Sequence, residues 1–408
     1  MKILHTADWH IGKTLHKFPL QDQLMLFLDW LYALIKKEGI DVLLVSGDVF
    51  DLANPSTADR ALYYRFLRRL SELNLQVIIT GGNHDSVGLL NAPKEVLEAL
   101  NVTVVGGATE DLKDELVPVK GLDGETKLIV AAVPFLRDKD LRHRETDDQF
   151  ENRTEAIREG IKRHYAELAA LAQEAYPELP AMAMGHLYTI GADPSESERD
   201  IHIGNTAAVD ASAFPAHFQY VALGHIHRPQ VIGKNEFIRY SGSPIPLSFS
   251  EKNDKKTVLI VELEKGQFKN PEVVPVPAFR ALKKFTGSLE EVREKLEHYQ
   301  PDFELPSFVE IEVTEATFSS VIIGQVEELK NVFEANGSFR ILKTRTHFSS
   351  GTKDTAELFH ESESIEDLSP RDVFLKKLEA EEVDQEKADM LVEAFQELIE
   401  KAEQAEAE

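Results

Sequence analysis

The chain has 408 residues, enough to bury a large core and to hold more than one domain. Its composition, 42% hydrophobic and 28% charged, is that of a water-soluble globular protein, and the absence of cysteine excludes disulfides and thiolate metal sites. A net charge of −26 argues against a protein that grips nucleic acid by bulk electrostatics; any DNA contacts are expected to be few and local, or shared with a basic partner.

The first 270 or so residues alternate short β-rich runs with helical stretches. Strands are predicted at 2–6, 41–46, 76–80, 102–105, 127–133, 181–184, 220–223, 237–240 and 257–262. Several are unbroken apolar runs, as expected for strands buried on both faces. Helices fit at 21–37, where Leu24, Leu28, Leu31 and Ile35 recur at helical spacing, and at 57–73 and 147–175. The expected fold class is α/β, a layered sandwich of sheets and helices. No secretory leader precedes the first strand, and no apolar run approaches the roughly 18 residues of a membrane span, so a cytoplasmic protein without membrane contact is expected.

A second unit is expected at 278–348, with a strand at 279–286, a helix at 289–299, a strand at 308–314, a helix at 321–335 and a strand at 339–347. Residues 349–370 are polar and acidic and read as a linker. Residues 371–408 carry 13 acidic and 5 basic residues and two amphipathic helical patterns, with Leu391, Phe395, Leu398 and Ile399 on one face. Such helices either fold back on the main body or dock on another protein, whose surface should then be basic.

Chemistry concentrates where strands end. Asp8-x-His10, Gly47-Asp48-x-x-Asp51, Gly82-Asn83-His84-Asp85, Gly185-His186 and Gly224-His225-x-His227 follow successive apolar runs, nearly every one beside a glycine. Oxygen and imidazole ligands in this mixture suit Mn²⁺, Fe²⁺, Zn²⁺ or Co²⁺, and they are numerous enough for two ions. Asp48 has the two oxygens needed to bridge both. Asp8, His10 and His227 would complete one ion, and Asn83, His186 and His225 the other. Paired cations suit phosphoester cleavage by a water-derived nucleophile, with no covalent intermediate. His84 follows a ligand without needing to be one, so it is expected to face the phosphate or protonate the leaving oxygen. Asp51 is expected to bond the far nitrogen of His84 and favour its imidazolium. Asp85 reads better as a turn cap than as a second such partner. Trp9 reads as a packing residue. The remaining histidines read as surface or structural, with His16 and Lys13 placed to border the cleft.

These motifs resemble the calcineurin-like metallophosphoesterase superfamily. Further stretches, Arg199-Asp200-Ile201-His202-Ile203-Gly204 and Tyr240-Ser241-Gly242-Ser243-Pro244-Ile245-Pro246-Leu247-Ser248-Phe249, resemble within it the SbcD family of nuclease subunits, related to the Mre-type repair nucleases. The likeness covers 1–270 strongly; 278–348 matches that family's capping domain by order and size, and 371–408 its ATPase-docking region by position and pattern. The resemblance implies an αββα nuclease domain over 1–275 and two divalent ions, Mn²⁺ foremost, with Mg²⁺, Zn²⁺ and Fe²⁺ left open. It implies an ATP-regulated exonuclease and endonuclease acting on double-stranded DNA ends and hairpins in repair, recombination and replication, in the nucleoid-associated cytoplasm. Its partners would be a second copy of the nuclease subunit and an SbcC-type coiled-coil ATPase bound through 371–408. One departure stands out: archaeal and eukaryotic relatives carry His where this chain has Asp51. Two competing readings are a stand-alone phosphodiesterase or nucleotidase, which leaves Ser241-Gly242-Ser243-Pro244 and the tail unexplained, and a scaffold that has lost its metals, which leaves the intact ligand set unexplained.

Overall fold

The computed structural model describes residues 1–141, 153–199, 201, 207–317, 319–334 and 337–350, together with Leu378, Leu391 and Phe395. The expected linker at 349–370 and docking helices at 371–408 lie almost wholly outside the described residues, as does the expected start of the third helix.

Two compact units are formed, the first by Met1–Lys284, Gln300–Val309 and Gly337–Leu342. It is built on two sheets. One runs in the order Gln267–Phe268, Thr257–Glu264, Lys2–Thr6, Val42–Ser46, Gln76–Thr80, Val102–Val105, with Glu272–Pro275 also paired to Thr257–Glu264. The other runs Gln230–Ile232, Asn235–Tyr240, Phe218–Gly224, Ala181–His186, Thr126–Ala132, Leu116–Lys120. Pairing is parallel from Lys2–Thr6 through to Val102–Val105, and from Asn235–Tyr240 through to Thr126–Ala132. The strands added beyond these blocks pair antiparallel.

Strand periodicity explains the layers. Successive side chains point to opposite faces. Ile3, Val42, Leu44 and Ile78 point between the sheets to meet Leu128, Val130, Met182, Met184, Tyr220 and Ala222 in one buried cluster. Their neighbours Leu4, Leu43, Val45, Val77 and Ile79 point outward, against helices Gln21–Glu38 and Thr57–Leu70 through Leu24, Phe27, Leu31, Phe66 and Leu67. On the second sheet Ile129, Ala131, Ala183, Val221 and Leu223 face helix Arg153–Ala175 through Ile157, Ile161, Tyr165 and Leu168. The result is an αββα sandwich whose unbroken apolar runs are the strands covered on both faces. Short elements without strong patterning also form: a hairpin of Thr14–Leu15 and Phe18–Pro19, and the edge strands Leu116–Lys120, Gln230–Ile232 and Glu272–Pro275.

The second unit comprises Phe285–Tyr299, Glu310–Asn336 and Lys343–Glu408. Helix Leu289–His298 opens on a capping box, in which the Ser288 hydroxyl and the Glu291 carboxylate each satisfy the other's backbone N–H, and it buries Leu289, Val292 and Leu296. Helix Ser320–Glu334 buries Val326, Leu329 and Phe333. Strands Leu282–Gly287, Ser307–Thr317 and Phe339–Ser350 form a three-stranded sheet in that order, so the β-α-β-α-β succession expected from the sequence is present. No helix of the described residues is long and apolar enough to cross a membrane.

Candidate metal centre

Parallel strands end level with one another, and that brings the candidate ligands together. Thr6 pairs with Val45, Ser46 with Thr80, and Gly224 with His186. Asp8, Asp48, Asn83 and His225 therefore emerge from neighbouring carboxyl ends, the usual place for a site in an α/β sheet. Two glycines permit the approach. A Cβ on Gly224 would stand 1.8 Å from the Ser46 carbonyl, and one on Gly47, whose φ is +83°, would stand 2.2 Å from His186 Nδ1. The backbones of these candidate ligands are themselves strained: φ is +54° at Asp8, +46° at His10, +48° at Asp48 and +99° at His225. Left-handed non-glycine residues cost about 1–3 kcal/mol each and persist where the surroundings impose them, commonly at functional sites.

Asp8, His10, Asp48, His84, His186, His225 and His227 are all buried, and Asn83 is half-buried. The Asp48 Oδ2 atom lies 3.3 Å from His186 Nε2, 3.5 Å from His10 Nε2 and 4.0 Å from His84 Nε2. Its Oδ1 accepts the His84 backbone N–H at 2.9 Å, and Asp8 Oδ1 accepts that of His225 at 2.9 Å. Among the described residues, three groups each bring their potential ligand atoms within 4.8 Å of one another: Asp8, His10 and His227; His10, Asp48 and His84; and Asp8, Asp48 and His186. The sequence-predicted residues thus converge on one locus around Asp48.

The donor arithmetic shows whether cations fit. The His186 Nδ1–H donates to the Ser46 carbonyl at 3.0 Å, so in the neutral ring Nε2 carries a lone pair, yet it faces the Asn83 Oδ1 oxygen at 2.9 Å. His10 Nδ1–H donates to Asp51 Oδ1 at 3.2 Å, which turns its Nε2 lone pair toward His227 Nε2, 3.1 Å away. Acceptors facing acceptors repel unless a cation or a proton lies between them. Asp8 Oδ2 and His225 Nε2 are buried with no hydrogen-bond partner among the described residues. Buried polar atoms are rarely left so without a function. The residues fit a pair of divalent ions.

Electrostatics in the metal-free chain agree. Burial opposes the charged form of Asp48, but His186, His10 and His84 together hold its carboxyl well below the usual range. Burial likewise disfavours the His186 imidazolium, but Asp48 prevails and lifts it to about 9. Burial pushes Asp8 up to about 7, against the pull of His186. Burial also drives His225 well below its ordinary value and His84 down to about 4.

Comparison with known proteins decides the family. The calcineurin-like phosphoesterase family model matches residues 1–229, and that of the type 5 capsule protein repressor C-terminal domain matches 278–382. The chain is 32% identical over 400 residues to the SbcD subunit of nuclease SbcCD from Escherichia coli K12, covering 97% of each chain. It is 38% identical to the Rhodobacter capsulatus counterpart over 72% of this chain and 74% of that one, and 30% identical to the Bacillus subtilis counterpart over 90% and 91%. The chain belongs to the SbcD family of calcineurin-like phosphoesterases. It is a metallophosphoesterase nuclease homologue with a buried Asp/His site suited to two metals.

Around that SbcD-type centre the geometry corrects one expectation. The Asp51 carboxylate does not serve His84: it accepts from His10 Nδ1 at 3.2 Å and from Lys13 Nζ at 3.1 Å, and is 3.9 Å from His84 Nδ1. His84 Nδ1–H donates instead to the Asp51 main-chain carbonyl, at 2.7 Å. The tautomer is still fixed, with Nε2 turned toward Asp48, but by backbone geometry rather than by a charge. Burial opposes ionisation of Asp51, yet His10 and Lys13 keep its carboxyl well below the usual range. Asp85 caps backbone, taking N–H bonds from Gly82, Val49 and Phe50 at 2.9, 3.1 and 2.9 Å, and so ties the loop after Asp48 to the loop before itself. Trp9 is fully buried, edge-on to Phe27 and Phe66. Lys13 borders the site through Asp51; His16 stacks at a tilt on Phe249.

Sequence reasoning missed the residues behind His227: Ser195, Ser197, Glu198, Glu251 and Lys256. The run Ser195-Glu196-Ser197-Glu198 and the stretch ending at Phe249 were the available signals, but nothing in their spacing joins them.

Proposed function

We propose that this chain is the nuclease subunit of an SbcCD-type complex, hydrolysing phosphodiesters at double-stranded DNA ends and hairpins with two Mn²⁺ ions. The observation that carries the reading is the buried gathering of ligand atoms from Asp8, His10, Asp48, His186 and His227, with Asp8 Oδ2 and His225 Nε2 left without a hydrogen-bond partner among the described residues. Asp8, His10 and His227 would hold one ion, Asn83, His186 and His225 the other, and Asp48 both. When bound, such a pair supplies Lewis-acid polarisation of the phosphate and a water nucleophile at neutral pH. The chain's own residues do the rest. Asp51 orients His10. The Asp51 carbonyl takes the Nδ1 proton of His84 and so leaves Nε2 as the titrating atom, which, once protonated to the imidazolium, can deliver that proton to the leaving oxygen or a hydrogen bond to a phosphate oxygen.

The acidity of the chain, −26, supports a division of labour in which a coiled-coil ATPase partner, docked through 371–408, supplies much of the DNA-binding charge. A second nuclease subunit would complete the assembly in the cytoplasm, at the nucleoid. Cleavage of blunt duplex and hairpin DNA, assayed with Mn²⁺, Mg²⁺ and Zn²⁺ and with the ATPase added, tests the proposal. Mn²⁺-dependent cleavage lost in Asp48→Ala is expected. Turnover of a small phosphodiester without DNA cleavage, even with the ATPase present, would point instead to a stand-alone phosphodiesterase.

A further inference from the structure

His227 is the most elaborately held histidine in the centre. Its backbone N–H donates to Glu198 Oε1 at 2.8 Å, and its carbonyl accepts from the Lys256 ammonium at 2.9 Å. Its Nδ1 lies 2.5 Å from the Ser197 hydroxyl. Three of its four polar atoms are thereby occupied, and only Nε2 is left to face His10.

The Ser197 hydroxyl also bonds Glu251 Oε1, as does that of Ser195 at 3.0 Å. Glu251 is fully buried and its Oε2 is 2.6 Å from Lys256 Nζ. The ammonium spends all three of its protons here: on Glu251, on the His227 carbonyl, and on Ser243 Oγ at 2.9 Å. A carboxylate paired in this way is ionised and only accepts. Ser197 has one proton to give, and Glu251 takes it. The Ser197 oxygen must then accept from His227, so the ring proton sits on Nδ1 and the lone pair on Nε2.

We propose that Glu251 is a positioning residue for the metal centre, acting through Ser197 to fix the tautomer and ring plane of His227. The proposal rests on the reading of His227 as a metal ligand. Glu251 Oε1 is 3.6 Å from His227 Nδ1, so the serine is an inserted link in what would otherwise be a direct carboxylate–histidine contact. Partners of this kind orient a ligand and raise its basicity, and losing one typically costs 10–100-fold in metal affinity. The link also joins distant parts of the chain: the segment 195–198, the Ser243 turn and Lys256 at the edge of strand Thr257–Glu264 all meet behind one ligand.

The test uses the full chain with Co²⁺ as probe, titrated by calorimetry and visible absorption, beside ¹⁵N NMR of the histidine rings in metal-free protein. Ser197→Ala, at a half-buried position, is the main variant, Ser197→Thr the conservative rescue, and Glu251→Gln a second probe of the same link. Ser197→Ala should weaken one of the two Co²⁺ sites by about 10–100-fold, leave the other unchanged, and abolish the fixed Nδ1–H signature of His227. Ser197→Thr should restore both. Unchanged affinity at both sites, or an equal loss at both, overturns the proposal. The ligand assignment beneath it fails separately, if His227→Ala removes no Co²⁺ site from the chain.

Discussion

The carboxylate of Asp51 accepts a hydrogen bond from His10 Nδ1, while the carbonyl of the same residue accepts one from His84 Nδ1. One residue thus steadies a metal-ligand candidate with its side chain and a proton-donor candidate with its backbone, and substitution separates the two roles. Asp51→Asn keeps the carbonyl and weakens the carboxylate's hold on His10 and Lys13. Metal affinity should fall by about 10–100-fold while His84 stays in place. Calorimetric Mn²⁺ titration checks this; full affinity with lost cleavage would return Asp51 to the service of His84.

His84→Gln separates chemistry from metal binding. His84 Nε2 lies 4.0 Å from Asp48, further than His186 or His10, and burial keeps the metal-free ring neutral. The variant should retain two ions per chain and lose about 10²–10⁴-fold in cleavage rate. Metal content by mass spectrometry decides, because a chain with one ion fewer would make His84 a ligand.

Gly224→Ala tests whether the strand end tolerates any side chain. The added Cβ would meet the Ser46 carbonyl at 1.8 Å, with Ala7 and His186 close behind, so backbone must move. A stability loss of about 1–3 kcal/mol or more, with displaced His225, is expected. Gly88→Ala is the control: nothing lies within 4 Å of its Cβ, it sits in a helix, and alanine should be neutral or slightly stabilising there. Equal melting temperatures for both variants would show that the strand end yields.

The two-sheet core was legible because period-2 alternation separates Ile3 from Leu4 and Val42 from Leu43 onto opposite faces, and because the unbroken runs at 76–80 and 181–184 leave little room for another reading. The candidate site was legible because metal-binding chemistry calls for particular side chains, and these recur where the predicted strands end. Edge strands such as Leu116–Lys120 and Glu272–Pro275 were not, since each contains a proline or exposed residues and forms only by pairing with a stronger neighbour. The support behind His227 was hidden for a different reason: serines and glutamates are ordinary surface residues until the fold buries them together. Asp51 was misassigned to His84 because sequence order reveals nearness but not which atom of a residue makes the bond.

His5 sits on the face of its strand that points between the sheets, fully buried, and reaches across to the second sheet. The Leu223 carbonyl can only accept, so His5 Nε2–H donates to it at 3.2 Å and Nδ1 accepts from the Tyr220 hydroxyl at 2.9 Å. A neutral ring is satisfied on both sides, and burial pushes its pKa from 6.5 to about 3, against the favourable Leu223 contact. The folded value lies below the unfolded one, so between about pH 6.5 and 3 the unfolded chain binds a proton that the folded chain refuses. Stability from this group is complete above about pH 6.5 and declines as the pH falls toward 3, by about 2 kcal/mol at pH 5. His5→Gln removes that dependence while keeping a polar group in the gap. Urea unfolding of both proteins in excess chelator should find the variant clearly less stable at about pH 7.5, with the difference narrowed by about 2 kcal/mol at pH 5 as the common carboxylates cancel. A difference that does not change with pH would mean that His5 accepts its proton in the folded sandwich, with Tyr220 turning its hydroxyl oxygen to receive it.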